Sequence, residues 1–159
     1  MNWKQWIENW KMTSLRISAP FLQMQWEPRK ADRDAAWELY IELLTRITTQ
    51  PLALEEGDEK TALDSIYSLF PLTRDTIRRH GKGCVEFTKI AVVVLNQIAR
   101  PFTAKWHRRS GHNAFEDPSQ CAEFRRELAD LQDKLRRYTG MLGEMAGVEE
   151  DLLSLESGD

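Results

Sequence analysis

The sequence predicts an all-α protein: a four-helix up-down bundle with an N-terminal amphipathic helix and a short extended, β-like arm. Four segments repeat apolar residues at steps of three and four, the period of a helix that packs along one side. The 159 residues suit one domain, because a chain of this size buries enough surface to fold without a disulfide or a metal. We therefore divide the chain into a Trp-rich N-terminal arm (1–28), a helical bundle (29–147) and an acidic C-terminal tail (148–159).

The N-terminal arm combines a helical stripe with an extended stretch. Four apolar residues fall at positions i, i+3, i+4 and i+7 of a short helix: Trp3, Trp6, Ile7 and Trp10. Beyond them, apolar and polar residues alternate over 15–19 and again over 22–26, as in strands. A lone strand leaves its backbone groups unpaired. The stretch should therefore pair as a hairpin about Pro20, with a second copy of the chain, or with the sheet edge of another protein.

The first two bundle helices are delimited by capping residues and prolines. Asp32 is a plausible N-cap of the first, which runs to about Thr48 before Pro51 ends it. A polar loop through Glu55 and Glu56 follows.

The second bundle helix begins at Asp58, another favourable N-cap. Pro71 should kink or restart this helix, because proline removes a backbone donor and clashes with the preceding turn. Gly81 and Gly83 then supply its C-terminus.

The third and fourth helices carry the strongest apolar signals. The third runs from about Val85 to His107 with an interruption at Pro101, and its centre, 90–95, is apolar all round, which predicts the innermost helix of the bundle. In the fourth helix the steps of three and four occur without a miss. Its apolar residues are Cys121, Phe124, Leu128, Leu131, Leu135, Tyr138, Leu142 and Met145.

Charge is distributed unevenly along the chain. Residues 72–112 carry 9 Lys+Arg against 2 Asp+Glu, giving +7, whereas residues 113–159 carry 5 against 12, giving −7. Such a division is expected either for a surface that binds nucleic acid or an acidic partner, or for oppositely charged helices that neutralise each other inside the fold.

Several function classes are disfavoured by composition. Cys84 and Cys121 are far apart, as expected of reduced thiols. The three His and two Cys lack metal-ligand spacing, and no Gly-rich phosphate loop is present, so we predict neither a metal nor a cofactor. No signal peptide is visible, and the longest apolar run is far shorter than the ~20 residues of a membrane span. The expected location is the cytoplasm.

One short motif points to catalysis. Arg100 is followed by His107 with six residues between them. This spacing resembles that of the HEPN superfamily of all-α bundles, whose active members are metal-independent ribonucleases with two copies of the motif at a dimer interface. The resemblance implies that His107 would carry the proton of an attacking ribose 2′-hydroxyl while Arg100 steadies the phosphorane. Alternatively, Arg100 and Asn96 are structural groups that face Glu38 or Glu42, and His107 complements the end of its helix.

Basic residues at two helix ends are a second candidate site. They are Arg78 and Arg79 at the end of the second helix, and Lys105, Arg108 and Arg109 at the end of the third. Nucleic acid would bind such clusters if they shared one face, but antiparallel helices place them at opposite ends. Each cluster could equally complement a helix C-terminus.

A third candidate site, and the one that we favour, is the arm itself. Its tryptophans would lie on one of three surfaces: a membrane, the chain's own bundle or a protein partner. The hypothesis is that the arm carries more indole and unpaired backbone than the bundle can absorb, so that the chain is a non-enzymatic accessory, regulatory or adaptor subunit of a bacterial-type cytoplasmic complex, or a homodimer. Its partner-binding anchors would be Trp3, Trp6, Trp10, Met24 and Trp26. The alternatives are a ribonuclease or toxin-type effector and a nucleic-acid-binding module.

Overall fold

A computed structural model describes residues 1–53 and 57–156, and over these ranges the protein is all-α. The helices are α1 (Trp3–Asn9), α2 (Ala19–Leu22), α3 (Lys30–Leu44), α4 (Glu59–Tyr67), α5 (Leu69–His80), α6 (Val85–Val94), α7 (Arg100–Ser110) and α8 (Pro118–Ala146). Short 3₁₀ turns occupy Gly81–Cys84, Ala114–Glu116 and Leu152–Ser154. The loop predicted through Glu55 and Glu56, and the last three residues of the acidic tail, lie outside the described residues.

Helices α3 and α8 form the centre of the fold. Helix α3 packs against α8, α5 and α6, while α4 packs against α7 and α8. The apolar stripe predicted for α8 is confirmed, because every residue of it from Phe124 to Met145 is buried and only Cys121 is partly exposed. Asp32 lies inside α3 rather than at its cap. Its buried carboxylate accepts hydrogen bonds from the backbone N–H of Arg29 (2.8 Å) and of Phe87 (3.0 Å), which ties α3 to α6.

The break between α4 and α5 falls at Ser68, three residues before the predicted position. Pro71 is the third residue of α5, in the first turn, where backbone N–H groups have no partner within the helix. The predicted restart of the helix is therefore confirmed, with the proline in the first turn of the new helix. Ser68 closes the preceding turn by donating its hydroxyl to the carbonyl of Ser65 (2.5 Å).

Pro101, in contrast, does not interrupt its helix as predicted, and residues 85–110 form one continuous helical rod. Residues Leu95–Ala99 form a π-helical turn that joins α6 directly to α7. The N–H of Arg100 bonds to the carbonyl of Leu95, five residues back. Because Pro101 has no N–H to continue the α-helical pattern, the widened turn absorbs the defect and the rod continues to Ser110.

The arm packs onto its own bundle, and the predicted hairpin is wrong. Pro20 lies in the single turn of α2, and the described residues contain only one isolated β-bridge, Asn2–Gln25. The N–H of Trp3 donates to Met24 (3.0 Å) and that of Trp26 to Met1 (3.0 Å), so the extended stretch pairs with the first residues of the chain.

A side chain of the rod satisfies a further part of the arm. The amide of Gln97 accepts from the N–H of Arg16 and donates to its carbonyl, both at 2.8 Å. The Gln97 amide thus takes the place of one residue of a partner strand, and the backbone N–H and carbonyl of Arg16 are satisfied without a sheet. None of the helices within the described ranges is both long and apolar enough to cross a membrane.

Candidate functional site

The tryptophans of the arm form a core. Trp3 and Trp6 are fully buried, with their rings edge-to-face at 5.2 Å. Trp26 lies 4.9 Å from Trp6 and is partly buried. The indole N–H of Trp3 donates to Glu86 of α6 (3.1 Å). In this fold, therefore, Trp3 and Trp6 offer no surface to a partner, and the argument that the bundle cannot absorb these indoles is wrong.

Trp10 and Met24 complete the set of predicted anchors. The indole of Trp10 lies over Gly140 of α8, where a Cβ atom would stand 2.3 Å from the ring. Its N–H donates to Glu144 at 2.9 Å. Met24, with 48% of its surface exposed, is the most accessible of the five. Helix α1 is thus fastened at both ends by hydrogen bonds from its indoles to carboxylates of the bundle.

The outer edge of the docked arm forms one wall of an apolar groove. The cavity is about 630 Å³ in volume. It is lined by Ile17, Ser18 and Phe21 of the arm and by Ile77, Gly81, Lys82, Val85, Thr88, Lys89, Val92 and Val93 of the bundle. We call this cavity the arm groove.

The floor of the arm groove corrects a prediction about the third helix. Val85 is 48% exposed and Val92 44% exposed, so α6 is not buried on all sides. An apolar run gives no periodicity from which an exposed face can be recognised, and sequence reasoning therefore missed this site. At the rim, the ammonium of Lys89 is bonded to Glu86 (2.9 Å) and lies 5.1 Å from the ring of Phe21, whereas Lys82 is exposed.

Arg100 and His107 are brought to one side of α7, against the corner between α4 and α5. The guanidinium of Arg100 lies 4.7 Å from the ring centre of Phe70. The imidazole of His107 meets the ring of Tyr67 edge-on at 5.0 Å, and Tyr67 lies 5.6 Å from Phe70. Arg74 reaches the same Phe70 ring at 6.0 Å. We call Tyr67, Phe70, Arg74, Arg100 and His107 the cationic-aromatic cluster.

The expected carboxylate partners of Arg100 are engaged elsewhere. Arg100 donates through Nε and Nη2 to the side chain of Asn96, at 3.3 and 3.2 Å. Glu38 instead binds Arg79 and His80, and Glu42 binds Arg46. Among the described residues no carboxylate pairs with Arg74 or Arg100. From the sequence alone, Arg74 was predictable only as a cation at a helix end, and Tyr67 only as a core residue.

The basic helix ends are largely neutralised by neighbouring helices. Arg79 of α5 pairs with Glu38 of α3 at 2.8 Å. Lys105 and Arg109 of α7 pair with carboxylates of α8, at 2.6 Å for Lys105 to Glu127. The hydrogen bond that Lys105 donates to Glu127 raises the pKa of the Lys105 amino group. Opposite charges of the middle and C-terminal segments thus meet inside the fold.

Two of the five predicted nucleic-acid contacts lie outside these interhelical pairs. Arg78 is exposed and pairs with Asp75 of its own helix at 3.4 Å, and Arg108 is exposed.

Both cysteines are free thiols, and in the described part of the chain no group of three or more His, Cys, Asp or Glu is arranged to hold a metal ion.

Comparison with known proteins gives no further assignment. No protein-family model matches the chain, and neither a curated protein nor a solved structure matches it significantly.

Proposed function

We propose that this protein is a non-enzymatic accessory or adaptor subunit of a cytoplasmic complex, which binds a protein partner in the arm groove. The observation that carries the proposal is that the arm and the bundle together build an apolar cavity open to solvent, with Val85 and Val92 about half exposed on its floor. Apolar side chains gathered in a concave exposed site are typical of interaction surfaces.

The shape and charge of the arm groove favour one class of occupant. A groove between helices accepts the apolar face of an amphipathic helix, whose anchors recur at i, i+3, i+4 and i+7. Lys82 and Lys89 stand at the rim, and Glu86 is already shared between Lys89 and Trp3. Carboxylates that flank the apolar anchors of the partner would therefore complement the rim.

The docked arm has a structural part in this site. Ile17 and Phe21 supply one wall, and the bonds of Gln97 to Arg16 hold that wall against the rod. Removing residues 1–28 would delete Trp3 and Trp6 and uncover the apolar residues that they pack against, so a lost partner would not distinguish a lost contact from a destabilised fold. Point substitutions in the floor of the arm groove test the proposal more sharply.

The experiment selects ligands from a displayed library of random helical peptides, using the full-length protein as bait. We expect the selected peptides to carry an apolar stripe flanked by Asp or Glu. Their affinity should fall at least about tenfold for Val92→Asp, since fully burying one valine is worth about 1.5–3 kcal/mol. Ile41→Asp is the matched control, because Ile41 is an exposed apolar residue of α3 outside the groove.

Two results would contradict the proposal. One is a selection that enriches no peptides, or enriches peptides that bind Val92→Asp as tightly as the original protein. The other is a concentration-dependent dimer, seen by sedimentation and abolished by Val92→Asp, which would assign the groove to a second copy of the chain.

A further inference from the structure

We infer that the cationic-aromatic cluster is a binding site for single-stranded nucleic acid. This site goes beyond the proposed function, because the cluster contains no residue that lines the arm groove. In it, the guanidiniums of Arg74 and Arg100 hold phosphates, and a base stacks on the ring of Tyr67.

Uncompensated positive charge is the first observation. Arg74 and Arg100 converge on one Phe70 ring, and no carboxylate among the described residues pairs with either. A phosphate that bonds either guanidinium would supply the counter-charge that the described part of the fold does not provide. Lys105 and Arg109, in contrast, are neutralised by carboxylates of α8. The cationic-aromatic cluster therefore differs from these other cations between helices.

The orientation of Arg100 is the second observation. Asn96 takes the Nε and Nη2 donors, and the Phe70 ring supports the guanidinium. No bond to Nη1 is formed by the described residues, so this nitrogen keeps its donors for a ligand. The π-turn ends immediately before Arg100 and sets the rotation of α7 relative to α6. Such turns are frequent at functional sites.

The exposed ring of Tyr67 is the third observation. It is 48% exposed although Phe70 and His107 both contact it. Aromatic rings next to cations are the stacking platforms of proteins that bind single strands. The seven helical steps from Arg100 to His107 span about 10 Å, the length of about three stacked nucleotides.

Nucleic acid suits this site better than an acidic peptide. A peptide would need an apolar pocket for its anchors, whereas the cluster offers the exposed aromatic ring of Tyr67. A stacked base uses that face directly.

The test measures binding of a fluorescein-labelled oligo-dT of about 12 nucleotides, a length within the usual site size of one small domain, by anisotropy at several salt concentrations. DNA has no 2′-hydroxyl, so binding is observed without strand cleavage through that group. We expect the double variant Arg74→Gln, Arg100→Gln to weaken binding at least about tenfold and to reduce the slope of log K against log salt by about 1.4, since each phosphate contact on a single strand contributes about 0.7.

Matched variants separate a specific site from general attraction. Tyr67→Ala should weaken binding at least about fivefold, while Tyr67→Phe retains it, because stacking needs the ring and not the hydroxyl. Arg126→Gln removes an exposed cation of α8 and should leave the affinity unchanged. Circular dichroism of each variant verifies that the fold is intact.

Three outcomes would overturn the inference. They are the absence of binding at low salt, an equal loss of affinity in Arg126→Gln and in the double variant, and displacement of the oligonucleotide by poly-glutamate at equal charge concentration. The last result would identify the cluster as a surface for acidic proteins.

Discussion

Gly140→Ala tests whether the arm is docked in solution as the structure shows. Gly140 lies within α8, where alanine normally stabilises a helix by about 1 kcal/mol relative to glycine. Here the new Cβ would stand 2.3 Å from one carbon of the Trp10 ring and 2.6 Å from the next. A rigid indole cannot yield locally, so it must swing away from α8.

The magnitude follows from the contacts that this movement removes. Displacing the ring costs about 1–3 kcal/mol as overpacking. Breaking the 2.9 Å bond from Trp10 to Glu144 costs about 1 kcal/mol more. Set against the gain in helix propensity, Gly140→Ala should lower the free energy of unfolding by about 1–3 kcal/mol, which corresponds to a Tm lower by about 3–9 °C.

The assay is urea unfolding followed by far-ultraviolet circular dichroism, which stays interpretable when a tryptophan is removed. In a Trp10→Ala background the obstacle is absent, so Gly140→Ala should there raise stability by about 1 kcal/mol. This reversal of sign is the decisive readout. If Gly140→Ala stabilises both backgrounds equally, Trp10 does not rest on α8 and the docked arm is refuted.

Three further predictions concern buried polar groups and catalysis. Asp32→Ala should cost about 2–3 kcal/mol in urea unfolding, because the N–H of Phe87 loses its charged acceptor, while Asp34→Ala, at a solvent-facing ion pair with Lys30, should have a much smaller effect; equal losses would contradict this. Tyr138→Phe should raise Tm, because the buried hydroxyl finds no partner among the described residues; a lower Tm would reveal a hidden partner. Total RNA incubated with the protein in chelator should stay intact, as expected of the non-enzymatic subunit proposed above; cleavage abolished by His107→Ala would establish a ribonuclease.

Local periodicity predicted the parts of the fold that depend on one helix at a time. The stripe of α8 and the indole stripe of α1 were legible because side chains three and four residues apart share a face whatever they pack against. The prolines were harder to interpret. Pro71 was expected to kink or restart its helix, and it lies in the first turn of the restarted helix α5, whereas Pro101 was expected to interrupt its helix and instead follows a π-turn. The effect of a proline depends on its position in the turn.

The candidate sites depended on contacts between distant segments. The charges of residues 72–112 and 113–159 were visible in the sequence, but not that Lys105 and Arg109 would be neutralised while Arg74 and Arg100 would not. Phe70 lies 30 residues before Arg100 in the sequence, and no local pattern indicates that the two meet.

The sequence by itself thus determined the helical class, the faces of the amphipathic helices and the segregation of charge, all of which are properties of neighbouring residues. Only the tertiary structure decided where the arm goes, which side of α6 meets solvent and which arginines keep an unpaired charge. The physical reason is that burial and charge neutralisation are settled by whichever surfaces come together. An indole stripe is the same in sequence whether its own chain or another covers it. Here it packs on its own chain, where Trp3 bonds to Glu86 and Trp10 lies over Gly140 and bonds to Glu144.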